Sequence, residues 1–217
     1  MDYLSGPSLP SRIGEIRVSS YYSGMIYLAS QSPRRAELLR QIGVEHEVYA
    51  TDIDERVNVG ESPEEYVSRL AQSKARVAAA EIGKGHSGWV VLAADTTIAI
   101  DGDIIGKPED AAHCHCILER LSGREHQVLT AVAVATHDRI DCRLTRNRVT
   151  FRALTEHEVH RYCGTSEPMD KAGAYAIQGK AAIFVERLEG SYSAVMGLPL
   201  CETAELLRDA GIEIFEL

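Results

Sequence analysis

Two runs near the middle of the chain constrain the fold most. Gln127–Ala135 and Ile140–Phe151 read as long strands joined at His137-Asp138-Arg139, an antiparallel pair around which everything else must pack. The remaining segments alternate strand and helix. Ile26–Ala29 is a short apolar strand, followed by Ser32-Pro33 as N-cap and first-turn proline, Ala36, Leu39 and Ile42 at helical spacing, and Gly43 as terminator. Glu45–Ala50 reads as a strand. Ser62-Pro63-Glu64-Glu65 reads as a capping box that opens a second helix. Trp89–Ala94 is a buried strand ending at Asp95. Thr96–Ile100 continues extended into a hairpin turn at Asp101-Gly102-Asp103. A helix from Ala111 to Leu121 follows, then the central hairpin, a helix capped at Thr155, a strand at Ile183–Leu188, a helix near Thr203–Ala210 and a closing strand at Ile212–Phe215. The expected class is α/β with a mixed sheet.

Composition narrows the function. With 23 Lys and Arg against 32 Asp and Glu, the net charge is −9, which argues against a nucleic-acid-coating surface but allows a local basic cluster for a nucleotide. No apolar run approaches the roughly 18 residues needed to span a bilayer. Residues 1–24 lack a hydrophobic signal core and read as a disordered tail ahead of a single domain at 25–217; Met25 is an alternative start. Five scattered cysteines fit reduced thiols better than a disulfide framework, so a cytoplasmic protein is expected.

Four segments carry chemical potential. In Ser30-Gln31-Ser32-Pro33-Arg34-Arg35, a strand runs through a tight loop into a helix whose free N–H groups favour an anion. Two arginines in that first turn oppose the helix dipole, a conflict an anionic ligand would resolve. Asp95 follows a strongly apolar strand, where a carboxylate can hold a metal or deprotonate water. Gly102–Pro108 lacks P-loop glycine spacing, although Lys107 can still reach a phosphate. In Asp170–Gly179, small residues bracket Tyr175 and Gln178 and suggest close backbone approach. His113-Cys114-His115-Cys116 and His157-Glu158-Val159-His160 both lack metal-site spacing.

In their order and spacing, LASQSPRR (28–35), RLAQSKA (69–75), AADTTI (93–98), GKP (106–108), LSG (121–123), DKAGAYAIQG (170–179) and GSYSAVMGLPL (190–200) resemble the Maf family of nucleoside triphosphate pyrophosphatases. The resemblance implies an elongated two-lobed fold, like that of inosine triphosphatases, with a central cleft. It also implies hydrolysis of a nucleoside triphosphate to the monophosphate plus diphosphate with a divalent cation, Mg²⁺ or Mn²⁺. Carried over by position, Asp95 matches the proton acceptor. Ser30, Arg35, Lys74 and Lys107 match residues around the triphosphate. Glu55, with Asp95, matches the metal-holding acids.

Arg34, Thr96 and Gln178 together resemble the branch acting on dTTP and UTP, or on modified pyrimidine triphosphates; Gln178 offers one donor and one acceptor to a pyrimidine edge. The alternatives are a 7-methyl-GTP pyrophosphatase of the same family and a non-catalytic nucleotide-binding regulator of cell division. Gln31 stands where Gly or Thr is usual, and Ala194 where Asn or His is usual. The expected partner is the nucleotide, with no nucleic acid or membrane; a homodimer is compatible with the family.

Overall fold

The computed structural model describes residues 25–84 and 88–214; the expected tail at 1–24 lies outside them. Seven strands form one mixed sheet: β1 (Met25–Leu28), β2 (Glu47–Val48), β3 (Trp89–Ile100), β4 (Asp103–Ile105), β5 (Glu125–Ala135), β6 (Ile140–Phe151) and β7 (Val185–Glu189). Their order is β2-β1-β3-β5-β6-β7, with β4 beside β3. β1 is parallel to both β2 and β3, whereas β3–β5, β5–β6 and β6–β7 are antiparallel. The central hairpin is therefore as read, and β3 lies along β5 from Val91↔Ala135 to Ala99↔Gln127.

Among the described residues, six α-helices cover the sheet: α1 (Pro33–Gln41), α2 (Pro63–Ile82), α3 (Ala111–Leu121), α4 (Glu156–Cys163), α5 (Tyr192–Met196) and α6 (Leu200–Asp209). The capping boxes at Ser62/Glu65 and Thr155/Glu158 are both formed. Alternation along β3 divides the packing between the two faces. On one face, Val91, Ala93 and Ala99 join Ala131 and Ala133 of β5 against Val67, Ala71, Ala75 and Ala78 of α2. Small side chains on both sides let this long helix lie close to the sheet.

The opposite face carries two clusters. Val90, Leu92, Val132 and Val134 pack with Leu38 and Leu39 of α1 and with Leu206 and Leu207 of α6. Ile98, Ile100, Val128, Val149 and Phe151 pack with Leu118 and Leu121 of α3 and Val159 of α4. Between them, Thr96, Thr130 and Thr145 lie in register on three adjacent strands, a polar seam that separates the lobes.

Several expectations are corrected. The strand at 45–50 shrinks to Glu47–Val48. Residues 183–184 belong to a 3-10 turn, Lys180–Phe184, so β7 begins at Val185. Residues 212–214 form no strand; the Ile212 amide donates to Leu207 O as α6 closes, and Phe215 lies outside the described residues. Asp95 does not end a strand, because β3 runs on unbroken to Ile100. Nor are all the cysteines free: Cys114 of α3 and Cys163 of α4 form a disulfide, bringing together residues 49 apart in sequence.

Candidate active site

The cleft follows from how β3 changes partners. β1 pairs with Trp89–Leu92 and then leaves; β4 pairs only from Ile98 to Ile100. Along residues 93–97, that edge of β3 carries no strand. The chain leaving β1 turns through Ser30–Ser32 into α1, so a helix N-terminus is delivered beside the gap. The resulting cleft has a volume of about 810 Å³. Ser30, Arg34, Arg35, Glu55, Lys74, Asp95, Thr96, Lys107 and Gln178, all singled out from sequence, line it.

Asp95 shares the α2 face of β3 with Ala93, and Lys74 reaches down to it from α2. Lys74 Nζ lies 2.7 Å from Asp95 Oδ1 and 2.7 Å from Glu55 Oε1. Lys74 and Asp95 are largely shielded, whereas Glu55 is about half exposed. Burial alone would raise the Glu55 pKa. The Lys74 hydrogen bond and charge, helped by Lys107 and Arg35, outweigh it and hold Glu55 below the usual carboxylate range.

Arg35 is gripped from three segments. Its Nε donates to Gly197 O at 2.8 Å, Nη1 to Ser30 Oγ at 3.1 Å and Nη2 to Thr96 Oγ1 at 3.3 Å. Thr130 spends its single hydroxyl proton on Ala194 O at 2.8 Å, so Thr96 donates to Thr130 across their 3.1 Å contact. An ordered chain thus runs Arg35→Thr96→Thr130→Ala194 O. Burial pulls the Arg35 pKa down and Asp95 opposes it. Gly197 has φ +117°, a conformation that L side chains rarely adopt, so this turn calls for glycine. Ser32 occupies the α1 N-cap without a side-chain cap bond, and its own amide donates to Ser30 Oγ at 3.1 Å.

Across the cleft, Arg34 lies 3.8 Å from Asp170. Burial would raise the Asp170 pKa, but Lys171 and Arg34 bring it below the ordinary value. Gln178 is exposed on the turn that follows.

Sequence reasoning missed Tyr66, whose hydroxyl donates to Glu55 O at 3.0 Å. Burial, with the Asp95 and Glu55 charges, pushes its pKa up to about 12. The available signal was the spacing of Tyr66, Leu70 and Lys74, one helical turn apart on α2. It also missed the backbone acceptors of 194–197, whose sequence carries no polar side chain at those points. The unusual Ala194 is fully buried and acts through its carbonyl. Of the metal-like segments, Cys114 is buried in the disulfide, and no group of three or more His, Cys, Asp or Glu among the described residues could hold a metal ion.

A family profile described as Maf-like protein matches residues 25–210. The chain belongs to the Maf-like protein family. A dTTP/UTP pyrophosphatase of Aromatoleum aromaticum is 50% identical over 201 residues, covering 86% of this chain and 95% of that protein. One of Methylobacillus flagellatus is 51% identical, covering 87% and 94%, and one of Myxococcus xanthus is 50% identical, covering 88% and 94%. Among the described residues, no helix of this Maf-like protein is long and apolar enough to cross a membrane.

Proposed function

We propose that this cleft hydrolyses dTTP and UTP to the monophosphate and diphosphate. The observation that carries the reading is a carboxylate, Asp95, set mid-strand in a shielded cleft and surrounded by Lys74, Arg35 and the N-terminus of α1. The dTTP/UTP pyrophosphatases about half identical to this chain support the substrate class.

Water attacks the α-phosphorus, its proton passes to an Asp95 carboxylate oxygen, and the bond to the bridging oxygen of the β-phosphate breaks, releasing diphosphate. Charge builds on the equatorial and leaving oxygens. Lys74, Lys107 and the α1 amides next to Ser30 stabilise it, with Arg35 contributing from its fixed position. Arg34, Thr96 and Gln178 select the pyrimidine. Gln178 pairs with the base edge, Thr96 acts through its bond to Arg35, and Arg34 acts through its pairing with Asp170.

A divalent cation, Mg²⁺ or Mn²⁺, fits the donor set. Two carboxylates converge on one positive charge, that of Lys74, and Mg²⁺ is commonly held by one or two carboxylates together with substrate phosphates. Asp95 and Glu55 would hold it, and when bound it would neutralise phosphate charge.

The test is diphosphate release from dTTP, UTP, CTP, dATP, GTP, ITP and 7-methyl-GTP, with and without Mg²⁺ or Mn²⁺. Metal-dependent release favouring dTTP and UTP is expected. Preference for 7-methyl-GTP would overturn the assignment from Arg34, Thr96 and Gln178, and binding without release from any of them would overturn hydrolysis.

A further inference from the structure

Glu167 lies outside the cleft, yet three donors from two segments, α4 and the 3-10 turn Lys180–Phe184, converge on its carboxylate. Oε1 accepts from the Tyr162 hydroxyl at 3.0 Å and from the Ala181 amide at 3.3 Å, and Oε2 accepts from the Lys180 amide at 3.0 Å. Its backbone carbonyl accepts from Lys171 Nζ at 2.6 Å. Lys171 in turn pairs with Asp170, the residue that faces Arg34. Between the two clamped amides and the cleft stands the turn Ala176–Gly179, closed by the Gly179 amide on Ala176 O at 3.0 Å; this turn carries Gln178.

The fit leaves no slack. A Cβ on Gly179 would lie 2.4 Å from Glu167 Oε1 and 2.7 Å from Oε2. Gly179 has φ −103°, an ordinary value for any residue, so the turn geometry does not call for glycine. What excludes a side chain is the carboxylate seated against it. Burial would raise the Glu167 pKa; the two amides, the tyrosine hydroxyl and Lys171 outweigh it, so the group is ionised and accepting at neutral pH.

We infer that Glu167 is a positioning residue for nucleobase selection: its carboxylate ties α4 to the turn bearing Gln178, and its carbonyl, through Lys171, supports the Arg34–Asp170 pairing. The inference rests on the reading of Gln178 as the base-facing side chain. Glu167 touches neither substrate nor the reacting atoms. Its loss therefore weakens discrimination between bases and leaves the phosphate chemistry at Asp95 in place.

Because the carboxylate and the missing Cβ compete for one space, the clamp can be broken from either side. Glu167→Ala removes the acceptors. Gly179→Ala pushes the carboxylate off them. In the double variant the new methyl occupies the space that Glu167 vacated, so the second change should add nothing to the first. Non-hydrolysable α,β-imido analogues of dTTP and GTP report selectivity by equilibrium titration, and dTTP turnover is measured alongside, with amide hydrogen exchange at Lys180 and Ala181. Each single variant should lower the dTTP-to-GTP binding ratio about tenfold and speed exchange at both amides. KM for dTTP should rise about tenfold with kcat within threefold of wild type. Glu167→Gln, which keeps one acceptor, should recover part of the ratio, and the double variant should match Glu167→Ala. An unchanged ratio in the single variants despite faster exchange would overturn the inference, as would a double variant worse by the product of the two effects. Wild-type protein that binds without selectivity would overturn it too. Wild-type protein that binds selectively but releases no diphosphate would overturn hydrolysis and leave the clamp standing.

Discussion

Asp95→Asn separates the chemistry from the structure around it. The amide oxygen keeps an acceptor where Oδ1 now takes the Lys74 hydrogen bond at 2.7 Å, and Lys74 retains Glu55 at the same distance. Removing one partner of an isolated buried pair costs about 3–5 kcal/mol. Here the ammonium keeps a second carboxylate and a neutral acceptor, so the cost should fall to about 1–2 kcal/mol. In a chain of this size that lowers the melting temperature by roughly 2–8 °C. Turnover should fall far more, by about 10²–10⁴-fold, the usual worth of a positioned general base. Binding of a non-hydrolysable dTTP analogue, titrated without divalent cation, should hold or tighten, because one negative charge leaves the neighbourhood of the triphosphate. The assay is diphosphate release at saturating dTTP and Mg²⁺, with calorimetric titration of the analogue and thermal unfolding on the same samples. Turnover within tenfold of wild type would refute Asp95 as the proton acceptor. Loss of binding in step with turnover would reassign it to holding the cleft together.

Other parts of the molecule give equally direct tests. His126 is buried, with Nε2 2.9 Å from the Tyr175 hydroxyl, and burial lowers its pKa to about 4. Between pH about 6.5 and 4 the unfolded chain therefore binds a proton that the folded chain refuses, so stability falls as pH drops through that window, by up to about 1.4 kcal/mol per unit; urea midpoints across it should flatten in His126→Gln. Reducing the Cys114–Cys163 disulfide, which spans 49 residues, should cost about 4 kcal/mol by chain entropy and lower the melting temperature by roughly 8–16 °C. A melting curve indifferent to reductant would show that the bridge does not hold α3 to α4. Gly173 has φ +70°, and a Cβ there would meet Ile98 Cδ1 at 2.2 Å. Gly173→Ala should destabilise by about 1–3 kcal/mol in denaturant titrations, and a neutral result would mean that this wall of the cleft yields easily.

Elements governed by local rules were legible in the sequence. Pro33 at the start of α1, the two capping boxes and the Asp101-Gly102 turn each encode their geometry within a few residues, and each formed where expected. Failures came where long-range packing decides. Ile212 and Ile214 are apolar because they cover the cluster beneath α6, and their hydrophobicity imitates a strand. Cys114 and Cys163 sit on helices whose proximity depends on the whole second lobe, so no spacing rule could pair them. At the site, charged side chains could be read, but Gly197 O and Ala194 O could not, because a carbonyl looks the same in every residue.

Asp95 shows why a sequence rule can locate a site through the wrong geometry. By the rule for open α/β sheets, an acid at the end of an apolar strand faces a ligand crevice. β3 does not end there; its parallel neighbour β1 has already left it after Leu92. What matters physically is the uncovered strand edge, where no partner blocks access and the chain leaving β1 must turn into a helix. Either event, a strand stopping or its neighbour departing, puts a polar residue after an apolar run. The apolar stretch Val90–Ala94 is buried on both faces, by α2 on one and by α1 and α6 on the other. The change of character over Asp95–Thr97 therefore marks a polar interruption in that apolar cover, which resumes at Ile98–Ile100. Continuity of β3 past this point has its own consequence. The strand that carries the acid also forms the floor of both lobes, so Asp95 is fixed relative to Lys74 on one side and to the Gln178 wall on the other. An acid on a strand-end loop would move with that loop; Asp95 belongs instead to the most buried strand of the sheet.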